Sequence, residues 1–135
     1  MLKCIWFVVL VTIPGLAYAD VVVIMHPSQT ITINQDDVTR LYMGRLGDVA
    51  GVNLVPVNLV DSHPLKSQFD EAALGRSSSQ LKAYWSRLIF TGKGTPPKEV
   101  GSDSEVLALV AANPNIIGYV AADKVDDSVR VVMTF

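Results

Sequence analysis

The chain has almost no thiol chemistry available to it. Its 135 residues include a single cysteine, Cys4, so no internal disulfide framework and no paired-cysteine metal site can form. Histidine is equally sparse. His26 and His63 are far apart in sequence and have no neighbouring His or Cys, which gives no zinc-like ligand spacing. The aspartate pairs Asp36-Asp37 and Asp126-Asp127 do not follow a calcium-loop spacing. Thr91-Gly92-Lys93-Gly94-Thr95 lacks the G-x-x-x-x-G-K-[ST] spacing of a phosphate loop and follows a helix instead of a strand. Ser77-Ser78-Ser79 has neither a G-x-S-x-G elbow nor a base to activate it. No catalytic constellation, metal site or cofactor is expected.

The first nineteen residues have the layout of an export signal. Lys3 supplies a positive n-region, Ile5 to Leu16 an apolar stretch, and Ala17-Tyr18-Ala19 a small-x-small cleavage site before Asp20. The apolar stretch is shorter than the roughly 20 residues a bilayer span needs, and Pro14-Gly15 interrupts it. Cys4 precedes it and is not at the cleavage point. The expectation is a signal peptide at 1–19 and an exported, periplasmic chain at 20–135, with no stable membrane insertion after cleavage. Removing 1–19 takes away one base and no acid, so the mature formal charge is −3. That sign argues against nucleic-acid binding. The distribution is uneven: Arg76, Lys82, Arg87, Lys93 and Lys98 follow one another with no acid before Glu99. Such a stretch fits either an anion-attracting surface or the solvated face of a helix and its loop.

Along 20–135 strand and helix patterns alternate. Val21 to Met25 is an apolar, β-branched run of the kind buried on both sheet faces. Asn34 with Asp37 predicts a capped helix, Val38, Leu41 and Tyr42 its inner face, and Gly44 its left-handed end. Residues 46–52 read as a loop. Leu54 to Val60 reads as a strand in which Pro56 suggests an edge or a bulge. A helix is expected from near Asp61-Ser62-His63-Pro64, facing inward with Leu65, Phe69, Ala72 and Ala73 and stopping at Gly75. Ser77 and Gln80 predict the next cap, and Leu81, Tyr84, Trp85, Leu88 and Ile89 a single amphipathic face with Trp85 inside. Gly92 to Pro97 is a loop, Ser102 with Glu105 starts another helix, and Ile116 to Val120 and Val129 to Met133 are further strands. One α/β domain with a mixed or mostly parallel sheet flanked by helices follows.

The order DDVTRLYMGRL, LVPVNLVDSHPLKSQFDEAALG, SSSQLKAYWSRLIFTGKGTPPKEV, AANPNIIGYV resembles the periplasmic phosphate-binding protein family, the substrate-binding components of phosphate uptake transporters. The resemblance implies a single binding-protein-like lobe that corresponds to the latter part of a two-lobed member. It implies phosphate or a similar oxyanion as ligand, a transporter or other periplasmic protein as partner, and no enzymatic activity. In that family the loop matching Val60–Lys66 carries an arginine and then a Ser-Gly-Thr step. Here these fall on Leu59 or Asn58, and on His63, Pro64 and Leu65, or on Ser62 with a one-residue slip. Leucine has no hydroxyl and proline no N–H, so a weak grip is implied. Residue chemistry points to the same turn, because a helix N-terminus can hold an oxyanion on its free amides. Ser62 would add a hydroxyl, Lys66 a charge one turn in, and His63 a donor that responds to pH. The expected ligand-binding residues are therefore Ser62, His63 and Lys66. The other account of this turn is that Asp61 and Ser62 cap the helix, which would suit a periplasmic adaptor that keeps the lobe without binding a ligand.

Overall fold

The computed structural model describes residues 20–135; the signal segment read at 1–19 lies outside them. Five strands form one sheet in the order β5-β4-β6-β1-β7. They are β1 (Val21–Met25), β4 (Val55–Leu59), β5 (Lys98–Val100), β6 (Ile116–Ala121) and β7 (Arg130–Thr134), while β2 (Asp48–Val49) and β3 (Val52–Asn53) make a separate small hairpin. β4 is parallel to both β5 and β6, and β1 is antiparallel to both β6 and β7. Four strands thus share one direction and β1 opposes them. Every residue of β1 is buried, as its unbroken apolar run demands.

The helices are α1 (Gln35–Tyr42), α2 (Pro64–Phe69), α3 (Ser78–Phe90) and α4 (Asp103–Ala112). Three begin at residues chosen for capping. Reciprocal capping boxes close α1 at Asn34 and Asp37 and α3 at Ser77 and Gln80. Ser102 caps α4 by accepting from the Glu105 N–H, but the Glu105 carboxylate turns to the Gly101 N–H instead of completing the box. α2 differs from expectation, since its cap is His63 and neither Asp61 nor Ser62.

Two crossovers set the layers. From β4 the chain passes through α2 and α3 to β5 on one side; from β5 it passes through α4 to β6 on the other. Right-handed connections in opposite directions put their helices on opposite faces. β6 records both faces in adjacent residues. Tyr119 stacks on Phe69 of α2 with centroids 3.8 Å apart and planes at 6°, and Tyr42 of α1 meets the Phe69 ring edge-on at 4.8 Å. Gly118 turns the other way, where a Cβ would lie 2.6 Å from Val106 Cγ1 of α4. Only a glycine lets that helix sit so close.

Several expectations need correction. β5 has no counterpart among the expected strands, and the β2–β3 hairpin falls largely on the expected 46–52 loop, because segments of two or three residues carry no periodicity. Pro56 lies in an interior strand, but β5 pairs only from Val57 onward, so the β5 flank is still unpaired at the proline. After Phe69 the helix continues as a π-helical turn, Asp70–Leu74. That wider winding buries Leu74 beside Ala73 and leaves Ala72 exposed. The face expected of α3 is only partly buried. Leu81 is buried, Tyr84, Trp85 and Leu88 are half-buried, and Ile89 is exposed. α3 does not lie on the sheet; it rests on the end of α1, where the Tyr84 hydroxyl donates to the Met43 carbonyl at 2.7 Å. The Trp85 ring covers Gly44, which has φ 70° and whose Cβ would come within 2.8 Å of Cη2.

The β6–α4 contact gives a direct test. Gly118→Ala is expected to destabilise the fold by about 1–3 kcal/mol, the range for overpacking, as measured by denaturant unfolding. Adding Val106→Ala to that variant should recover part of the loss; an unchanged midpoint in Gly118→Ala would mean the layer spacing is looser than 2.6 Å implies.

Candidate functional site

β4 and β5 end side by side, and the chain leaves them into α2 and α4. The N-terminal ends of both helices therefore open on the carboxyl edge of the sheet, where open α/β sheets bind their ligands. The two helix starts are tied together by side chains. His63 Nδ1 accepts from the Leu65 N–H at 3.1 Å, and its Nε2 lies 2.7 Å from Asp103 Oδ1 at the first turn of α4. Because Nδ1 is an acceptor, the proton sits on Nε2 and donates to the carboxylate. The other Asp103 oxygen accepts from the Ala121 N–H at the end of β6, 3.0 Å away. One carboxylate thus joins the ends of three structural units.

The structure distributes the three sequence-derived site residues among different tasks. Ser62 is exposed beside the turn. His63 uses both ring nitrogens, one on the cap and one on Asp103, so protonating Nδ1 would break the cap. Lys66 is only 5% exposed, and carboxylates already hold its ammonium. Its Nζ is 2.9 Å from Asp70 Oδ2 and 3.4 Å from Asp61 Oδ1. The amides here are also engaged: His63 N–H donates to the Val60 carbonyl and Lys66 N–H to the His63 carbonyl, and Pro64 has none.

Lys66 forms the inner wall of a cavity of roughly 220 Å³ between α2, α3 and the ends of β4 and β5. Asn58, Asp61, Ser78, Lys82 and Glu99 supply its polar lining, with Leu81, Trp85 and Pro96 among the apolar walls. Asp61 links the two lysines, with its second oxygen 3.5 Å from Lys82 Nζ. Behind the lining residue Asn58, the buried Tyr119 donates to Asn58 Oδ1 at 2.5 Å and accepts from the Leu59 N–H at 3.3 Å. Burial raises the Tyr119 phenol far above its usual range, so it stays a neutral donor. Asp70 is fully buried; Ser78 Oγ donates to Oδ2 and Oδ1 has no partner among the described residues. Burial raises its pKa, against the opposing pull of the Lys66 hydrogen bond and charge.

Sequence reasoning missed Asp103 and Asp70. Asp103 was hidden as an ordinary acidic residue in the first turn of a helix. Asp70 lies four residues after Lys66, a helical pair spacing, and that signal was available. Among the described residues no group of three or more His, Cys, Asp and Glu is placed to hold a metal ion.

A scan against protein-family models finds no match, and no curated protein matches the sequence. Solved structures do match in shape. An ABC-type phosphate transport receptor from Vibrio cholerae superposes with a TM-score of 0.65 at 17% identity, covering 84% of this chain and 46% of its own. A protein from Clostridium perfringens with bound phosphate, described as a substrate-binding protein of a phosphate ABC transporter, superposes at 0.63 and 22% identity, covering 84% and 45%. PstS from Borrelia burgdorferi superposes at 0.61 and 15% identity, covering 84% and 47%. The chain spans less than half the length of these neighbours. At such identities the likeness is one of fold: an α/β, binding-protein-like lobe.

The buried pair generates a prediction. Asp70→Ala leaves Lys66 without its nearer carboxylate and should destabilise by about 3–5 kcal/mol, whereas Lys66→Met with Asp70→Leu should be close to neutral. A double variant as unstable as the single one would contradict this. Since folding raises the Asp70 pKa, the folded state binds its proton more tightly than the unfolded state. Stability should therefore fall as pH rises from the ordinary carboxylate range through the folded pKa, and Asp70→Asn should remove that slope.

Proposed function

We propose that residues 20–135 form an exported, periplasmic solute-binding-like lobe that takes phosphate or a similar oxyanion weakly, for ABC-type uptake. Residues 1–19 act as its signal peptide. The ligand contacts are Ser62, His63 and Lys66, and the chain is not an enzyme. The observation that carries this reading is Asp103. Its carboxylate sits where the starts of α2 and α4 meet, accepting from His63 and from the Ala121 N–H. A place that holds one of the chain's own oxyanions has the donors and the positive helix ends to hold another. The likeness in fold to phosphate-transport proteins supports the same ligand class.

Weakness follows from competition. An incoming anion must displace Asp103 from His63, and it meets Lys66 already neutralised by Asp61 and Asp70. A single lobe also leaves the ligand open to water and salt, which screen its contacts. The same saturation favours a second reading, a periplasmic adaptor that keeps the lobe and has lost ligand binding.

Titration with inorganic phosphate, followed by amide NMR at low and moderate salt, separates the two. The expected result is movement of the 62–66 signals with a dissociation constant of about 0.1–10 mM, or roughly 3–5 kcal/mol. Ser62→Ala and Lys66→Ala should reduce it. Asp103→Asn keeps an oxygen for one neighbour and removes the competing charge, so it should tighten binding. If 62–66 stay still in both the parent and Asp103→Asn, the oxyanion reading fails and the adaptor reading stands.

A further inference from the structure

α3 ends on two exposed apolar residues. Phe90 is 92% exposed and Ile89 55% exposed, adjacent at the C-terminal tip of the helix and followed by the turn Thr91–Gly92. Exposed Phe is unusual, and here an exposed Ile precedes it at the end of the helix. Their surroundings are basic. From residue 72 to 98 the chain has five bases, Arg76, Lys82, Arg87, Lys93 and Lys98, and no acid. Lys82 pairs with Asp61; Arg76, Arg87, Lys93 and Lys98 form no ion pair among the described residues. Arg87 and Lys93 each lie three residues from Phe90 in sequence, so the charge beside the apolar tip is complementary to an anionic partner.

We infer that the C-terminal end of α3 docks peripherally on an anionic lipid surface, with Phe90 and Ile89 entering the headgroup layer and Arg87 and Lys93 beside them. Charge alone would also admit an acidic protein, but the shape favours lipid. The exposed apolar part is two side chains at a tip, whereas a stable protein interface buries about 800 Å² per partner around an apolar centre. Interfacial binding needs only a few inserted side chains plus a diffuse basic field. The unpaired arginine and lysines, on long side chains with no fixed partner, suit a fluid array of headgroups. Docking of this kind is reversible and distinct from insertion, since no helix among the described residues is long and apolar enough to cross a membrane. It does not depend on the oxyanion reading, because its residues differ from Ser62, His63 and Lys66.

The test is flotation of residues 20–135, the whole of the described fold, with large vesicles of phosphatidylethanolamine and phosphatidylglycerol, against vesicles of phosphatidylcholine alone. Binding is expected to the phosphatidylglycerol vesicles at low salt, to fall at least about tenfold in high salt, and to be absent from phosphatidylcholine. Arg87→Glu with Lys93→Glu should lower the partition coefficient about tenfold or more. Ile89→Ser with Phe90→Ser should lower it by a similar factor. Both pairs are at exposed positions, and an unchanged unfolding midpoint in each confirms that the fold is intact. Equal binding to both vesicle types, no binding to either, or indifference to both double substitutions overturns the proposal. Shifts of the 87–93 amides on adding poly-glutamate, with no vesicle binding, would assign the patch to an acidic protein instead and equally overturn it.

Discussion

The stack of Phe69 on Tyr119 is the contact through which the helix α2 is referred to the middle of the sheet. Burying two aromatic rings face to face, with Tyr42 closing on the edge, fixes the helix in translation and rotation. Everything at the carboxyl edge depends on that placement. With Phe69 anchored, the start of α2 falls at the end of β4, and His63 comes within reach of the first turn of α4. Gly118 sets the opposite layer one residue away, allowing α4 to approach β6 closely enough for Asp103 to receive the Ala121 N–H. A single strand therefore positions both helix ends that make the candidate site. The Tyr119 hydroxyl extends the same residue's role outward, holding the Leu59 amide and the cavity residue Asn58.

Carboxylates govern the electrostatics of this edge. Asp103 holds His63, Asp61 bridges Lys66 and Lys82, and Asp70 neutralises Lys66 from inside. These internal partners keep the buried lysine from being an unpaired charge, which would be strongly unfavourable. They also set the terms for any anion from outside, which has to compete with oxygens already in place. The C-terminal end of α3 differs. Lys82 is held by Asp61, but Arg87 forms no ion pair among the described residues, and the tip shows aromatic and aliphatic surface to solvent.

Local signals were legible wherever a few neighbouring residues decide the outcome. The Asn34–Asp37 and Ser77–Gln80 boxes, the left-handed glycines at 44 and 75, and the β-branched run at 21–25 all act over one turn or one strand. Their physics is contained in the sequence window. Where a partner from elsewhere was needed, the reading fell short. Lys98–Val100 becomes a strand only because Val57–Leu59 lies beside it. The amphipathic pattern of α3 correctly marks a helix, yet periodicity does not say whether its apolar stripe will meet a core or a loop, and here Trp85 meets Gly44. The π-helical turn reassigned Ala72 and Leu74 by widening the helix at a point no residue pattern marked.

The turn at Ser62–Lys66 shows where the two kinds of information divide. By itself the sequence determined that a helix begins here after a strand, since Pro64 is suited to a first turn and the apolar residues Leu65 and Phe69 follow at helical spacing. It also determined the alternating α/β order and the basic character of 76–98. The Lys66–Asp70 pair is at helical spacing and was legible there too. Only the tertiary structure decided that His63 faces Asp103, forty residues away. Caps and periodicity are short-range effects of backbone hydrogen bonding, so residue order encodes them directly. The charge that meets a given side chain is set by how layers pack, and that depends on distant contacts such as Phe69 on Tyr119 and Val106 on Gly118.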